Sequence, residues 1–164
     1  MKRLSDAPLI AVILGFGGLI PFAAGAIGLG LGGQAEQQAA NALPVYAAVI
    51  LSFLAGGRWA SELVIRSDAP RAGVLLLAVA LALAGWIAVP LQVWSRPGLT
   101  LNLELVGWCV LIAGFLIQYL WDRAAIRDAV FPEWYLPLRG MLTLGAVLSL
   151  SAAAFIRWSP TFSL

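Results

Sequence analysis

The sequence predicts an all-α integral membrane bundle of five transmembrane helices, with the N-terminus in and the C-terminus out. Three observations carry this expectation. The chain of 164 residues is 62% hydrophobic and 11% charged, with a mean hydropathy of +0.93, which is more apolar than a water-facing surface allows. Its apolar residues gather into five long runs, and seven of its ten Lys and Arg residues flank those runs on one side. The length suggests one transmembrane domain, 1–164.

A spanning helix needs about 20 mostly apolar residues, and the runs at 8–30, 44–65, 70–93, 99–120 and 136–158 meet that need. The first opens behind Met1-Lys2-Arg3 and contains Ala24-Gly25-Ala26, as a signal peptide would, but it exceeds an h-region in length, so a retained span is expected. Within it, Pro21 frees the Gly17 carbonyl and Gly17-Gly18 softens the preceding turn, which predicts a kink over Gly17 to Pro21. Pro8, Pro44, Pro70 and Pro137 stand at the entrances of their runs, where the missing N–H costs little. Asp6, Asn41 and Asp68 precede three of these starts as N-caps. Arg96-Pro97-Gly98 reads as the turn between the third and fourth spans. Five spans cannot divide into equal inverted halves, so a repeat-built carrier is disfavoured within one chain.

Orientation follows from the basic residues, since short loops rich in Lys and Arg stay in the cytoplasm. Lys2, Arg3, Arg66, Arg71, Arg123, Arg127 and Arg139 fall on one side, Arg96 and Arg157 on the other, and Arg58 inside a span. Tyr46, Trp94 and Trp158 would form the outer aromatic belt, and Tyr119, Trp121, Trp134 and Tyr135 the inner one. The inner segment 121–135 reads as interfacial. The fourth helix would continue into it as far as Phe131-Pro132, with Asp122, Arg123, Arg127, Asp128 and Glu133 among the headgroups, and Ile126, Val130, Phe131 and Trp134 against the acyl boundary.

Composition removes much chemistry. The chain has no His, one Lys and one Cys, Cys109, which excludes Ser–His triads, His-ligated zinc and axial-His haem. No catalytic, cofactor-binding or metal-ligating set is expected. The net charge of +2 and pI of about 9.1 rest on a few Arg residues that topology explains, so no nucleic-acid partner is implied. Gly28, Gly30 and Gly33 match G-x-G-x-x-G, yet they close an apolar run with no strand before them, as a glycine-rich helix exit rather than a nucleotide loop.

The residues that invite a functional reading lie inside the spans. Arg58 and Glu62 stand four apart on one helix face, and a lone Arg near the bilayer centre costs about 2.5–3.5 kcal/mol on insertion scales. The guanidinium should therefore face the bundle, paired with Glu62 and reaching Gln118 on the fourth helix. This pair either fixes helix register or binds an anionic headgroup or solute. Glu104 lies one turn from the outer interface, within reach of Asn102 or Arg96, as a snorkelling carboxylate. Small residues recur every fourth position at Ala24, Gly28 and Gly32, at Ala48, Ser52, Gly56 and Ala60, at Ala80, Ala84 and Ala88, and at Gly145, Ser149 and Ala153. Such stripes let helices approach closely, and that of the second span is the foremost expected packing face.

Gly18-Leu19-Ile20-Pro21-Phe22, the run from Ile50 through Ser52-Phe53-Leu54-Ala55-Gly56-Gly57-Arg58-Trp59, Asp122-Arg123, Trp134-Tyr135, and Leu138-Arg139 with Leu142-Thr143 together resemble the family called domain of unknown function 3429. That resemblance implies a small multi-span protein of the bacterial inner membrane with mitochondrial relatives, and it implies no established activity. The expected function is a non-catalytic accessory or assembly component of a membrane complex, whose partners are the lipid bilayer and a membrane protein or a second copy. The alternative is lipid, quinone or small-solute binding or transport, as an oligomer in the transport case.

Overall fold

A bilayer offers no water to backbone N–H and C=O groups, so each span must close its own hydrogen bonds, and a helix does this within one segment. The computed structural model describes residues 6–93, 102–127 and 130–158. Among them run α1 (Leu9–Gly17), α2 (Ile20–Leu31), α3 (Gly33–Ile65), α4 (Ala72–Val93), α5 (Leu103–Arg127) and α6 (Tyr135–Trp158). α1 and α2 form one span, Leu9–Leu31, and the other helices one each, so five segments are long and apolar enough to cross a membrane. Lys2, Arg3, Trp94, the Arg96-Pro97-Gly98 turn, Asp128 and the expected start of the fourth span at 99–101 lie outside the described residues.

Successive spans pack side by side, and α2 meets α6 to close the ring, while α3 also touches α5 across the middle. Phe22, Leu43, Leu51, Trp108, Leu111, Phe115 and Leu150 form the centre of the core. Glycine sets the closest approaches. A Cβ at Gly28 would stand 2.9 Å from the Ala39 Cβ, and one at Gly107 only 2.7 Å from the Ala88 carbonyl oxygen, so the α2 backbone rests on the Ala39 methyl of α3 and α5 meets α4 backbone to backbone.

The first span is broken rather than bent. α1 ends at Gly17, α2 begins at Ile20, and Pro21 sits in the first turn of α2, where a missing N–H interrupts nothing. Tyr46 reaches across from α3 and its hydroxyl donates to the Gly18 carbonyl at 2.8 Å. Its ring lies edge-on to Phe22, with centroids 5.1 Å apart. Tyr46 is therefore a bundle residue and not the outer belt residue that its position suggested.

α3 departs furthest from expectation. It starts at Gly33 rather than at Pro44 and is 33 residues long, about 50 Å at 1.5 Å per residue, against a hydrocarbon core of about 30 Å. The connection expected at 31–43 is helical because Gln34-Ala35-Glu36-Gln37-Gln38-Ala39-Ala40 consists of good helix formers. Ala39 and Leu43, on the face packed against α2, are buried. Asn41 is consequently a helix-interior residue, and Pro44 is buried inside the helix. The turn from α2 uses Gly32 and Gly33, whose φ of 71° and 61° belong to the left-handed region that glycine tolerates.

The packing face of α3 also differs from the expected stripe. Ala48 is buried, but Gly56 and Ala60 are exposed and Ser52 is half-buried. The buried face instead runs through Leu51, Ala55, Arg58 and Glu62. Turning two charges away from lipid fixes the rotation of the helix, and that rotation carries the small residues outward. On α4 the buried line is Ala78, Leu81, Gly85 and Ala88, so Ala80 faces out.

Candidate functional site

Polar groups inside the bundle gather near the end that bears Arg66, Arg71 and Arg139. Arg58, Glu62, Asp122 and Arg139 are 3%, 3%, 1% and 4% exposed, and Gln118 is fully buried. α5 shows how the sequence places two of them. Its buried stripe runs Trp108, Leu111, Phe115, Gln118, Asp122 and Ala125, three or four residues apart, so a single helical face carries apolar groups first and an amide and a carboxylate after them.

Arg58 and Glu62, expected as a pair, serve different neighbours. Glu62 Oε1 accepts from Arg71 Nε at 2.9 Å and from the Arg71 backbone N–H at 2.9 Å, while Oε2 accepts from Arg71 Nη2 at 2.8 Å. Arg66 Nη1 lies 3.5 Å from Oε2. The carboxylate thus takes both a guanidinium fork and a free N–H at the head of α4, a geometry that an i,i+4 arginine cannot equal. Arg58 lies one turn deeper and stacks on aromatic faces instead, its Cζ 4.6 Å from the Trp121 ring centroid and 5.7 Å from that of Phe131. Phe131 in turn packs on Tyr135, with centroids 4.8 Å apart.

α5 is helical to Arg127, Phe131 lies against Arg58, and Asp122 turns inward rather than among headgroups. Asp122 Oδ2 accepts from Arg139 Nε at 2.9 Å, and Oδ1 from Gln118 Nε2 at 3.0 Å. Gln118 therefore serves Asp122 and not Arg58. A buried carboxylate needs such partners, because an uncompensated charge in this medium is costly. The sequence signal for Asp122 was its place on the Leu111, Phe115, Gln118 stripe. For Arg139 it was a basic residue one turn inside α6, four residues before Thr143, on the buried face with Leu138 and Ala146.

Glu104 lies at the opposite end, away from this cluster. It accepts from Arg157 Nε and Nη2, and Arg157 Nη1 also donates to Glu36 at 2.7 Å. Arg157 therefore clasps the extension of α3 to the start of α5. Asn102 serves the helix instead, since its Oδ1 accepts from the Leu105 N–H at 3.1 Å as an N-cap.

Beside the Arg139 and Asp122 pair lies a cavity of about 160 Å³, bounded by Gly18 and Phe22, by Ile50 and Phe53, by Phe115, and by Arg139. Four segments that are remote in sequence converge on it. The glycines of the G-x-G-x-x-G match lie elsewhere, at the α2 to α3 turn.

A family model described as "Protein of unknown function (DUF3429)" matches residues 7–155. A curated relative, "Transmembrane protein 69" of Xenopus tropicalis, is 35% identical over 151 residues, which is 92% of this chain and 55% of the relative. The chain thus spans about half the length of that relative. No solved structure matches the chain. With five membrane-spanning segments in a helical bundle and a family match over nearly its whole length, the chain belongs to the DUF3429 family of membrane proteins of unknown function.

Proposed function

We propose that this protein is a non-catalytic accessory or assembly component of a membrane complex, lying in the bacterial inner membrane with its N-terminus in and its C-terminus out. One observation carries the reading. Gly56 and Gly57 sit in the interior of α3, both exposed, and a Cβ added at either would meet nothing within 4 Å. Each costs about 0.8–1 kcal/mol of helix propensity relative to alanine, and neither returns that cost through packing in its own chain. With Ala60 on the same flank, they make a shallow surface that a second transmembrane helix could approach closely. The carboxylates of Glu62, Asp122 and Glu104 are each held by an arginine, an arrangement that suits structure better than proton transfer.

The test is photocrosslinking in native membranes from a diazirine amino acid at Ala60, with Leu76 on the exposed face of α4 as control. Protein adducts at Ala60, lost in Gly56→Leu while the bundle keeps its thermal stability, support the reading. Lipid adducts alone at both positions would overturn it. The alternative of lipid or quinone binding has its own structural support in the Arg139 cavity.

A further inference from the structure

The cavity beside Arg139 has a polar end and an apolar end. Arg139 is the fifth residue of α6, so it lies about 6 Å along that helix, whereas Ala146 at the other end of the cavity lies about 16 Å along. The remaining walls, among them Leu19, Phe22, Ile50, Phe53 and Phe115, are apolar. Leu14 and Phe53 at the rim are 68% and 74% exposed, so the cavity opens sideways to lipid between the broken first span and α3. An amphiphile lying in the leaflet would meet it polar end first, in the orientation that it already holds.

The polar end offers one specific thing. Arg139 Nε is bonded to Asp122, but Arg139 Nη2 is buried with no hydrogen-bond partner, and a buried donor left unmade is costly. Arg139 is also the charged side chain that lines the cavity. Because Asp122 already neutralises this guanidinium, the site offers an N–H donor rather than a free positive charge. An anionic head would gain little there and would face the Asp122 carboxylate. We propose that the cavity binds a neutral lipophile through a carbonyl oxygen that accepts from the part of the Arg139 guanidinium not engaged by Asp122, its adjoining ring or acyl carbons filling the space among Phe22, Phe53 and Phe115. The volume suits this ligand, being close to the roughly 150 Å³ of apolar cavities that hold a benzene ring. A quinone ring and the ester end of a glycerolipid share this chemistry. The site is independent of the Gly56 and Gly57 face, so either can fail alone.

The experiment is native mass spectrometry of the full chain in dodecyl maltoside, titrated separately with decylbenzoquinone, dioctanoylglycerol and decanoate. At least one neutral probe should saturate at one per chain, with decanoate at least tenfold weaker. Binding of the quinone alone or the glyceride alone identifies the source, and binding of both supports the shared carbonyl chemistry. Ile50→Trp, which fills the cavity and leaves the ion pair intact, should weaken binding at least tenfold, as should the double variant Asp122→Leu with Arg139→Met. A photoreactive analogue of whichever neutral probe saturates should label, on the wild-type protein, the peptides carrying Phe53 and Leu142. Failure of both neutral probes to saturate, decanoate binding as tightly as they do, or labelling elsewhere would each overturn the proposal.

Discussion

Arg139 Nε donates to Asp122 Oδ2 at 2.9 Å between two side chains that are almost wholly buried, and this bond joins the first turns of α6 to the last turns of α5. Removing one partner strands the other charge. Breaking a buried pair costs about 3–5 kcal/mol in soluble proteins, while replacing both partners by apolar groups is often nearly neutral. Arg139→Met and Asp122→Leu should therefore each lower thermal stability in detergent sharply, and the double variant should recover most of the loss. Additive losses would show that the pair is not the unit of stability.

Glu62 should act as the lock of the α3 to α4 turn. Charge-assisted hydrogen bonds contribute about 1.5–3 kcal/mol each, and about 1.4 kcal/mol is a tenfold change in an equilibrium. Glu62→Gln should accordingly raise the rate of trypsin cleavage at Arg66 and Arg71 roughly tenfold or more. Arg71→Lys should fall between the two, since an ammonium cannot make the fork. Equal cleavage rates in all three proteins would contradict this role.

Tyr46→Phe removes the hydroxyl that holds the Gly18 carbonyl at the break in the first span. Hydrogen bonds between transmembrane helices average about 0.6 kcal/mol and reach about 1.7, so a modest loss of stability is expected. Faster amide exchange should be confined to the residues around Gly18. Exchange that rises uniformly along α1 and α2 would place the hydroxyl's role elsewhere.

The Arg157 clasp is half-exposed, and such pairs contribute about 0–1 kcal/mol with strong screening by salt. Arg157→Ala should leave global stability nearly unchanged but fray the extension of α3 around Glu36, seen as faster exchange at low ionic strength. The difference from wild type should vanish at about 1 M salt, where the Debye length is about 3 Å.

Orientation is open to the same kind of check. The distribution of Arg66, Arg71, Arg123 and Arg139 against Arg157 leads us to expect cytoplasmic signals from reporters fused at the N-terminus and in the Arg66 to Arg71 turn, with an external signal from the C-terminus. A cytoplasmic C-terminus would contradict the proposed topology.

Legible from the chain alone was what the bilayer sets, five spans in an all-helical bundle, whereas the bend expected at Pro21 is a break between Gly17 and Ile20. The spans and their helicity follow from run length and from the impossibility of leaving backbone groups unsatisfied in hydrocarbon, and both are local properties of the chain. The family resemblance was legible too, from short segments. Only the tertiary structure decided which charges meet. Arg58 and Glu62 are four apart on one helix, so spacing alone pairs them, but an arginine at the head of the next helix offers Glu62 a fork and an N–H, while Trp121 and Phe131 offer Arg58 their faces. The same geometry turned Gly56 and Ala60 of α3 outward. Partners across 17 or 53 positions, as for Asp122 with Arg139 and Glu104 with Arg157, are chosen by how the spans rotate against one another. That rotation is a property of the packed bundle, where two buried charges outweigh a stripe of glycine and alanine.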